Sequence, residues 1–441
     1  MPRYYIETWG CQMNVHDSQK LAGELEHRGY ARTERRDEAD VILLNTCSIR
    51  EKAEEKLFSE LGRLRELKQA NPGLIIGVCG CVAQQEGKGI FARAPYVDFV
   101  LGPRATGSLP VLLESARCGS ASRLVDIAYR TDSIDFPGER IRRDDRGKAY
   151  VTIIEGCNHR CTYCVVPTTR GREICRRLED VLAEVRGLAA RGVIEIEFLG
   201  QTVNAYRDAA GHGLGDLLRE TCTVAGIERI RFTTSHPAQM TESLMDAMAL
   251  ARPKLGAYLH LPVQSGSDDV LRAMRRGYGR DGYLQKIALL RQRIPEMLFG
   301  TDVIVGFPGE SEADFDQTLE LLEQVPFDTV YAFAYSQRPG TTALALGDTV
   351  PAELKRERLE RVFGLQKRIQ QQRNQLWHGR RIQVLVEGPS RRDRGRWTGR
   401  SPENRVVNFT GTVTPGRLAW VEIEGSTAFA LAGRSVAETF A

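Results

Sequence analysis

Three closely spaced cysteines, Cys157, Cys161 and Cys164, offer the clearest chemistry in this chain. They lie in the segment EGCNHRCTYC, directly after the strand-like run VTIIE. Four-iron clusters are held by cysteine thiolates, and three such ligands leave one iron without a protein ligand. An iron in that state can chelate a substrate. The spacing CxxxCxxC therefore predicts an iron–sulfur cluster that also binds a small molecule.

Two other interpretations of these thiols are open at this stage. A zinc site would need a fourth ligand, which His159 could supply, although it lies between the thiols on the same short loop. Cys161 and Cys164 alone could form a redox-active CxxC pair. Ten cysteines in 441 residues are too sparse for a disulfide scaffold, so the clustered thiols favour metal binding or catalysis.

A second group of cysteines lies where strand-like and helix-like runs alternate, a pattern that predicts a doubly wound parallel sheet. Cys11 follows YYIETWG, Cys47 follows DVILLNT and Cys81 follows LIIGVCG. The carboxyl ends of parallel strands line one crevice, so we expect these thiols to converge. Each could instead be a buried structural thiol. Cys79 competes with Cys81 because residues two apart on a strand face the same way.

Six further strand-like runs begin at Tyr150, and helical patterns between most of them predict a complete or partial barrel of βα units. The runs are VTIIEGC, IEIEFLGQ, RIRFTTSH, AYLHLPVQS, GTDVIVGFPG and TVYAFAYSQ. Chemistry in such barrels gathers where the strands end. Residues at these ends predict one site, made of Cys157, Gln201, Ser235, His236, Gln264, Ser265, Gly306, Ser336 and Arg338.

These patterns divide the chain into three domains. We expect a doubly wound domain at 1–125 with helices at 18–27 and 51–68, and a barrel domain at 149–376 that ends in a helix at 352–376. A polar, aperiodic linker at 126–148 joins them. After Trp377 the helical period is lost, which predicts a small all-β barrel at 377–441.

Arginines concentrate between residues 391 and 405 of the last domain. Guanidinium groups fit phosphate geometry and an aromatic ring can stack on an unpaired base, so this loop is a candidate RNA contact. The candidate residues are Arg391, Arg392, Arg396 and Trp397. A solvated basic hairpin is the alternative.

Composition points to a water-soluble globular protein. The chain is 42% hydrophobic and 27% charged, and its net charge of +4 is too small to indicate nucleic acid by itself. The start, MPRYYIETWGC, lacks the apolar segment of a signal peptide, and no window approaches the length of a membrane helix. We expect a cytoplasmic protein without a membrane partner, and a monomer because no coiled-coil pattern demands a second chain.

The segment EGCNHRCTYC resembles the radical S-adenosylmethionine (radical SAM) superfamily, and segments along the whole chain resemble the methylthiotransferases of that superfamily. They are TWGCQMN, NTCSIREKAEEK, GCVAQQEG, EGCNHRCTYCVVPTTRGRE, FLGQTVNAY, TTSHP, HLPVQSGSD, DVIVGFPGE and ENRVVNF. The resemblance implies a partial βα barrel and a C-terminal TRAM barrel that grips RNA. It also implies S-adenosylmethionine as cofactor and two 4Fe–4S clusters, a radical one at Cys157, Cys161 and Cys164, and an auxiliary one at Cys11, Cys47 and Cys81.

Further expectations concern single residues. The resemblance implies that the backbone at Tyr163 meets the adenine of S-adenosylmethionine, and Gln201 at its strand end is a second candidate contact. No catalytic side chain is expected beyond the cluster sites. After TTRGRE the family usually has Ser-Arg-Pro, whereas this chain has Cys175, Arg176 and Arg177; we predict that Cys175 is not a ligand.

The resemblance implies transfer of a methylthio group to C2 of N6-isopentenyladenosine at position 37 of tRNA, because SIREKAEEK and TTSHP resemble that branch most. One S-adenosylmethionine would methylate an auxiliary sulfur and a second would yield the radical that activates C2. Both clusters would then face one cavity, and a sulfur source and an electron donor such as flavodoxin or ferredoxin would be needed. The alternatives are a methylthiotransferase for a ribosomal protein side chain and a colourless, zinc-bearing RNA-binding protein.

Overall fold

Three units follow one another along the chain in a computed structural model: a parallel sheet, an open arc of parallel strands and a closed barrel. The structure describes residues 1–48, 51–118, 123–129, 140–143 and 147–437. The linker expected at 126–148 therefore lies partly outside the described residues. No helix in the described part of the chain is both long and apolar enough to cross a membrane.

The first unit is a parallel sheet with helices on both faces. Its strands are β1 (Arg3–Trp9), β2 (Ala31–Arg32), β3 (Val41–Thr46), β4 (Ile75–Gly80), β5 (Phe99–Leu101) and β6 (Leu124–Asp126). Its helices are α1 (Gln12–His27), α2 (Glu51–Ala70), α3 (Cys81–Glu86), α4 (Gly89–Arg93) and α5 (Leu109–Arg117). The strand order is β2-β1-β3-β4-β5-β6, and two apolar cores lie on opposite faces. The predicted doubly wound sheet is confirmed.

Two features of this unit differ from the sequence-based expectation. Helix α1 begins at Gln12 and not at residue 18. Its first turns carry buried polar side chains such as Asn14, His16 and Asp17, which contact other parts of the protein and leave no apolar period to detect. Strands β2 and β6 were not expected, because two or three residues are too few to show a periodic pattern.

The second unit contains β7 (Lys148–Thr152), β8 (Ile154–Glu155), β9 (Ile174–Cys175), β10 (Glu195–Leu199), β11 (Arg229–Phe232), β12 (Tyr258–His260), β13 (Leu298–Val305) and β14 (Thr329–Ala334). β8 and β9 form a separate antiparallel pair. The other six form two parallel three-stranded sheets, and the Gly256 amide joins them by donating to the Ile230 carbonyl at 2.9 Å. Within residues 147–437, β7 and β14 do not pair, so the arc is a partial barrel.

The helices of this unit are α6 (Val166–Arg170), α7 (Leu178–Ala190), α8 (Leu214–Thr223), α9 (Glu242–Leu250), α10 (Asp268–Ala273), α11 (Arg280–Arg293), α12 (Glu312–Gln324) and α13 (Ala352–Gln375). Six of them, α7, α8, α9, α11, α12 and α13, cover the outer side of the arc, and α6 contacts the first unit. Apolar strand residues such as Val151, Phe198 and Val303 pack against the helices in one core. Because side chains alternate along a strand, the residues between them face the interior of the arc.

The interior of the arc is ionic at the amino-terminal ends of its strands. Glu195 accepts from Arg229 Nη1 at 3.2 Å and from Arg231 Nε at 3.1 Å, and all three side chains are buried. Lys148 pairs with the neighbouring Glu197. Buried charges are tolerated when they are paired in this way. The interior is therefore closed by ion pairs at this end.

The third unit is a closed barrel of five strands, which confirms the predicted all-β domain. Its strands are β15 (Arg381–Pro389), β16 (Trp397–Arg400), β17 (Val406–Thr410), β18 (Leu418–Ser426) and β19 (Leu431–Val436). Arg229 Nη1 also donates to the Arg400 carbonyl at 3.0 Å, and Arg231 Nη1 donates to the Pro402 carbonyl at 3.1 Å. The barrel thus docks at the amino-terminal ends of the arc's strands.

Candidate metal centres

The loop that carries Cys157, Cys161 and Cys164 lies at the carboxyl ends of the arc's strands. Cys157 Sγ is 3.5 Å from Oγ1 of Thr202, which follows β10. The ring of His159 stacks on His236, which follows β11, with 3.9 Å between ring centroids. The loop therefore meets the ends of two neighbouring strands, and His159 is engaged in a ring contact.

Arg276 connects the same loop to the segment after β12. Its Nη1 donates to Cys161 Sγ at 3.3 Å and to the Tyr163 hydroxyl at 3.2 Å, and its Nη2 donates to the Pro262 carbonyl at 3.0 Å. Tyr163 also packs against the cluster of side chains that contains Tyr335, which follows β14. Arg276 is buried, and its guanidinium group places a positive charge beside the Cys161 sulfur.

The chemistry of this thiol set fits an iron–sulfur cluster. Burial raises the pKa of Cys157 and raises that of Cys164 to about 12, so a bare thiolate is disfavoured there. A coordinated metal deprotonates such thiols outright. Among the described residues, Ser235 Oγ and His236 Nε2 are buried without a hydrogen-bond partner. Such orphaned polar atoms near the loop fit a further polar ligand.

The residues expected at the strand ends do not all reach the loop. The side-chain oxygen of Gln201 accepts from the amide of Gly156, next to Cys157, so Gln201 lies at the loop. The hydroxyl of Ser265 instead lies 3.3 Å from that of Thr318 on α12, and Gly306 packs against α13. The expectation of one site was wrong for the Ser265 side chain, which points to the helices, whereas Phe307 next to Gly306 packs in the cluster of side chains that Tyr163 contacts. That Gln201 contacts S-adenosylmethionine stays a prediction.

The second thiol set lies at the carboxyl edge of the first sheet. The order β2-β1-β3 reverses direction between β1 and β3, and ligands bind at such a switch point in open sheets. Cys11 follows β1 and Cys47 follows β3, directly at this point. A hydrogen bond from the Cys47 thiol lowers the pKa of Cys11 to about 6. Cys81 is the first residue of α3, after β4, and its charge interacts with that of Cys11.

This second set also fits a bound group. Within the described ranges, Thr46 Oγ1, Ser48 Oγ and Arg170 Nη1 are buried and lack a hydrogen-bond partner. Inorganic sulfides of a cluster would give these donors acceptors. Cys79 packs in the apolar core of the sheet, where burial raises the pKa of its thiol. The geometry therefore favours Cys81 over Cys79 as the third thiol of this set.

Arg170 links the helix that follows the first thiol set to the second thiol set. Arg170 lies on α6, which begins soon after Cys164, and its Nε donates to Cys81 Sγ in the first unit at 3.3 Å. Its Nη2 pairs with Asp17 Oδ2 of α1 at 2.6 Å, and both side chains are almost fully buried. A second buried pair, Lys20 with Glu155, crosses the same interface at 3.2 Å. Both thiol sets therefore border one interface between the first two units.

Sequence reasoning missed Arg170, Arg276 and Asp17. A weak signal existed for the arginines, since Arg170 is in TTRGRE near the thiols and Arg276 is in one of several arginine pairs. Arginine pairs are more often solvated charge, so the pattern gave no reason to place these side chains beside a thiol.

Across the part of the chain that the structure describes, no three His, Cys, Asp or Glu side chains form a site for a single metal ion.

The contacts of Cys175 agree with the prediction that this thiol is not a cluster ligand. Its Sγ accepts from the Arg207 amide at 3.5 Å and packs against the core of the arc. We expect a Cys175→Ser variant to keep the full iron content of the wild-type protein, because this thiol is committed to those contacts. Iron analysis and the visible absorbance of the reconstituted variant measure this. Loss of one cluster's iron would make Cys175 a ligand.

The candidate RNA residues lie on the closed barrel, three of them between β15 and β16 and Trp397 at the start of β16. Arg391 and Arg392 are exposed there, and Arg396 Nε pairs with a neighbouring aspartate at 3.3 Å. The indole of Trp397 donates to the Gly411 carbonyl at 2.9 Å and packs partly on the barrel core. The RNA roles of these four residues stay predictions.

Comparisons with known proteins agree with this division into units. Residues 3–102 match the family described as Uncharacterized protein family UPF0004, residues 151–322 match the radical SAM superfamily and residues 375–436 match the TRAM domain. The superfamily match indicates an iron–sulfur cluster and S-adenosylmethionine as cofactors.

Solved structures share the fold at low identity. The radical S-adenosylmethionine methyltransferase TsrM from Kitasatospora setae, with cobalamin and a 4Fe–4S cluster bound, has a TM-score of 0.55 and 16% identity, covering 78% of this chain and 74% of its own. The cobalamin-dependent enzyme OxsB, with aqua-cobalamin and S-adenosylmethionine bound, has a TM-score of 0.52 and 14% identity, covering 83% and 56%. These likenesses support the arrangement of the units alone.

Curated relatives match along nearly the whole chain. A tRNA-2-methylthio-N(6)-dimethylallyladenosine synthase of Burkholderia thailandensis is 46% identical over 448 residues, covering 98% of this chain and 97% of the relative. A synthase of the same name from Burkholderia mallei is 48% identical over 416 residues, covering 92% and 90%. This chain therefore belongs to the tRNA-2-methylthio-N(6)-dimethylallyladenosine synthase family of radical SAM enzymes.

Proposed function

We propose that this protein transfers a methylthio group to C2 of N6-isopentenyladenosine at position 37 of tRNA, with two 4Fe–4S clusters and S-adenosylmethionine. The observation that carries the proposal is the contact of Arg170 with Cys81 of the first unit. Arg170 lies on α6, the helix after the loop of Cys157, Cys161 and Cys164, which we call the radical cysteine loop. Next to Arg170, the Gly171 carbonyl accepts from the Cys157 amide at 3.1 Å, so this segment runs from one thiol set to the other. Two thiol sets that border one buried segment can serve one substrate. The names of the relatives support the same substrate and reaction.

The reaction explains why two cofactor sites are needed. Adenine C2 carries an unactivated C–H bond, which no side-chain acid, base or nucleophile can replace with sulfur. When bound, the clusters and S-adenosylmethionine supply the one-electron chemistry and the sulfur. The chain's own residues hold these groups, orient the base and exclude water. Thr202, Arg276 and Arg170 contact the three thiols Cys157, Cys161 and Cys81 and fix their orientation.

The experiment that tests the proposal is mass spectrometry of nucleosides. Reconstituted protein, S-adenosylmethionine and a reductant are incubated with isopentenylated tRNA, and with ribosomal protein in a parallel reaction. We expect 2-methylthio-N6-isopentenyladenosine in the tRNA and no change in the protein. Modification of the ribosomal protein alone would contradict the tRNA assignment and leave the cluster chemistry standing. A colourless preparation that modifies neither would contradict both.

Two further components complete the proposed reaction. An electron donor such as flavodoxin or ferredoxin would supply electrons to the site of Cys157, Cys161 and Cys164, and a sulfur source would resupply the site of Cys11, Cys47 and Cys81. We propose that the protein works as a monomer, because the two thiol sets and the closed barrel all belong to one chain.

The RNA role of the closed barrel gives a separate prediction. In a double variant Arg391→Ala/Arg392→Ala, we expect weaker tRNA binding and a plot of log affinity against log salt that is shallower by about 1 to 2, because up to two phosphate contacts are lost. Fluorescence anisotropy with labelled tRNA over a range of salt concentrations measures both. Arg219→Ala, which removes an exposed arginine on α8, is the matched control. An unchanged salt slope in the double variant would remove these arginines from the RNA interface.

A further inference from the structure

The last strand of the arc presents aromatic side chains to the arc's interior. On β14, Val330 and Ala332 are buried in the core with the outer helices. Tyr331 and Phe333 alternate with them and therefore point to the opposite side, into the arc. They are 46% and 38% exposed, which is high for aromatic residues within a sheet. An exposed aromatic pair inside a barrel marks a surface that a ligand can cover.

The neighbouring strands extend this surface. Asp302 and Ile304 of β13 lie opposite Tyr331 and Phe333 in the parallel register, so all four face the interior. His260 of β12 lies 3.0 Å from Asp302 Oδ1 and meets Tyr331 edge to face, with 5.9 Å between centroids. We call Tyr331, Phe333 and Ile304 the aromatic face. His260 and Asp302 form its polar edge.

Strand β14 lies between the closed barrel and the radical cysteine loop. Just before the strand, the buried Asp328 forms an ion pair with Arg405 of the closed barrel. Just after the strand, Tyr335 belongs to the cluster of side chains against which Tyr163 of the radical cysteine loop packs. The aromatic face therefore lies between the unit expected to grip RNA and the site expected to cleave S-adenosylmethionine.

The ionic end of the interior limits what can enter. Lys148, Glu195, Arg229 and Arg231 already pair with one another, and the closed barrel covers this end through the carbonyls that the two arginines bind. A ligand that reaches the aromatic face therefore meets rings and an aliphatic side chain, with one polar edge. That composition suits a flat, uncharged ring that carries an apolar group.

We propose that the aromatic face binds a purine base with an apolar N6 substituent, the base stacked on Tyr331 and the substituent packed on Phe333 and Ile304. The inference rests on the proposed function and names the residues that select its substrate. Stacking on aromatic side chains is the common way in which proteins hold an unpaired base. A protein side chain without a ring cannot stack on Tyr331, so the face favours a nucleobase.

Binding of two matched RNAs tests the proposal. A labelled anticodon stem-loop with N6-isopentenyladenosine, and the same RNA with adenosine, are titrated with the reconstituted holoenzyme by fluorescence anisotropy. We expect the wild-type protein to prefer the isopentenylated RNA by about tenfold. Phe333→Ala lowers this preference to about twofold, and Tyr331→Ala weakens binding of both RNAs by about tenfold, because stacking is lost.

Two variants and one control measurement separate the proposed base-binding role of these rings from a structural role. Phe363→Ala removes a ring that is 49% exposed, slightly more than Tyr331 and Phe333, from the outer helix α13 and leaves both affinities unchanged. Phe333→Leu keeps apolar volume in the arc and retains most of the preference for the isopentenyl group. The iron content and the visible absorbance of all reconstituted variants stay at the wild-type values, which shows that the fold and the cluster sites are intact.

The outcomes also separate this inference from the proposed function. If the wild-type protein modifies isopentenylated tRNA while Tyr331→Ala and Phe333→Ala bind both RNAs as the wild type does, the aromatic face is not the base site and the function stands. The same variants losing iron or visible absorbance would assign the rings a structural role and overturn the inference. If the wild-type protein modifies only ribosomal protein, the proposed function itself fails.

Discussion

Replacing Cys157, Cys161 and Cys164 together with alanine will abolish cleavage of S-adenosylmethionine and remove about half of the iron. These thiols share one loop, so no remaining side chain there can hold the radical cluster. Replacing Cys11, Cys47 and Cys81 will also remove about half of the iron, but cleavage of S-adenosylmethionine will continue and no methylthio group will reach the tRNA. Iron analysis and chromatography of 5′-deoxyadenosine and nucleosides measure these results.

The contrast between the two triple variants is the informative result. Cys222→Ser is the control, because this thiol lies on α8, where its Sγ is 3.9 Å from the Ala251 carbonyl, and contributes to neither set. It should keep all the iron and full activity. If the variant without Cys11, Cys47 and Cys81 retained all its iron, the chain would hold one cluster, and the proposed source of sulfur would be wrong.

An Arg170→Met variant will lower the free energy of unfolding by about 3 kcal/mol, because it leaves the buried Asp17 carboxylate with only Lys20, whose Nζ is 3.8 Å from the other carboxylate oxygen. The pair has an N–O distance of 2.6 Å and almost no exposure to water, which separates it from surface ion pairs. The double variant Asp17→Asn/Arg170→Met removes the uncompensated charge, so we expect it to recover at least half of the loss. Urea unfolding of the reconstituted protein measures all four members of the cycle.

An exposed ion pair provides the control for this cycle. Arg219→Met breaks the pair of Arg219 with Asp216 on α8, in which the two side chains are 62% and 38% exposed. Such pairs contribute about 1 kcal/mol or less. If Arg170→Met destabilised the protein no more than this control, Arg170 would not hold the first two units together. Equal losses in the single and double variants would show that volume, and not charge, matters at this position.

The radical cysteine loop was predictable because its ligands are close in the chain. Cys157, Cys161 and Cys164 lie within eight residues of one another, so their proximity follows from covalent geometry before any tertiary fold forms. The convergence of Cys11, Cys47 and Cys81 needed one further rule, that parallel strands end at the same edge of a sheet. Apolar runs identified those strands, and the structure brings the three thiols to that edge.

The limits of the periodic patterns are equally physical. Strand β2 has two residues and pairs only through Arg3 and Tyr4 of β1, so its backbone is fixed by its neighbour and not by its own sequence. Helix α1 extends to Gln12 because Asp17 and His16 find buried partners in the second unit, Arg170 and Thr152. A polar turn that is buried by docking has the same sequence signature as a polar turn in water.

The sequence by itself determined the three units and the two thiol sets, because these depend on local spacing and on strand and helix periods. It also determined the reaction class, through segments that resemble the methylthiotransferases. Only the tertiary structure decided which side chains serve those sites. Arg170 and Cys81 are 89 residues apart, and Arg276 and Cys161 are 115 apart. Contacts of that range depend on how units dock and on which faces meet, and no local pattern encodes them. The same holds for Tyr331 and Phe333, which alternation places on one face of a strand while the arc around them makes that face an interior.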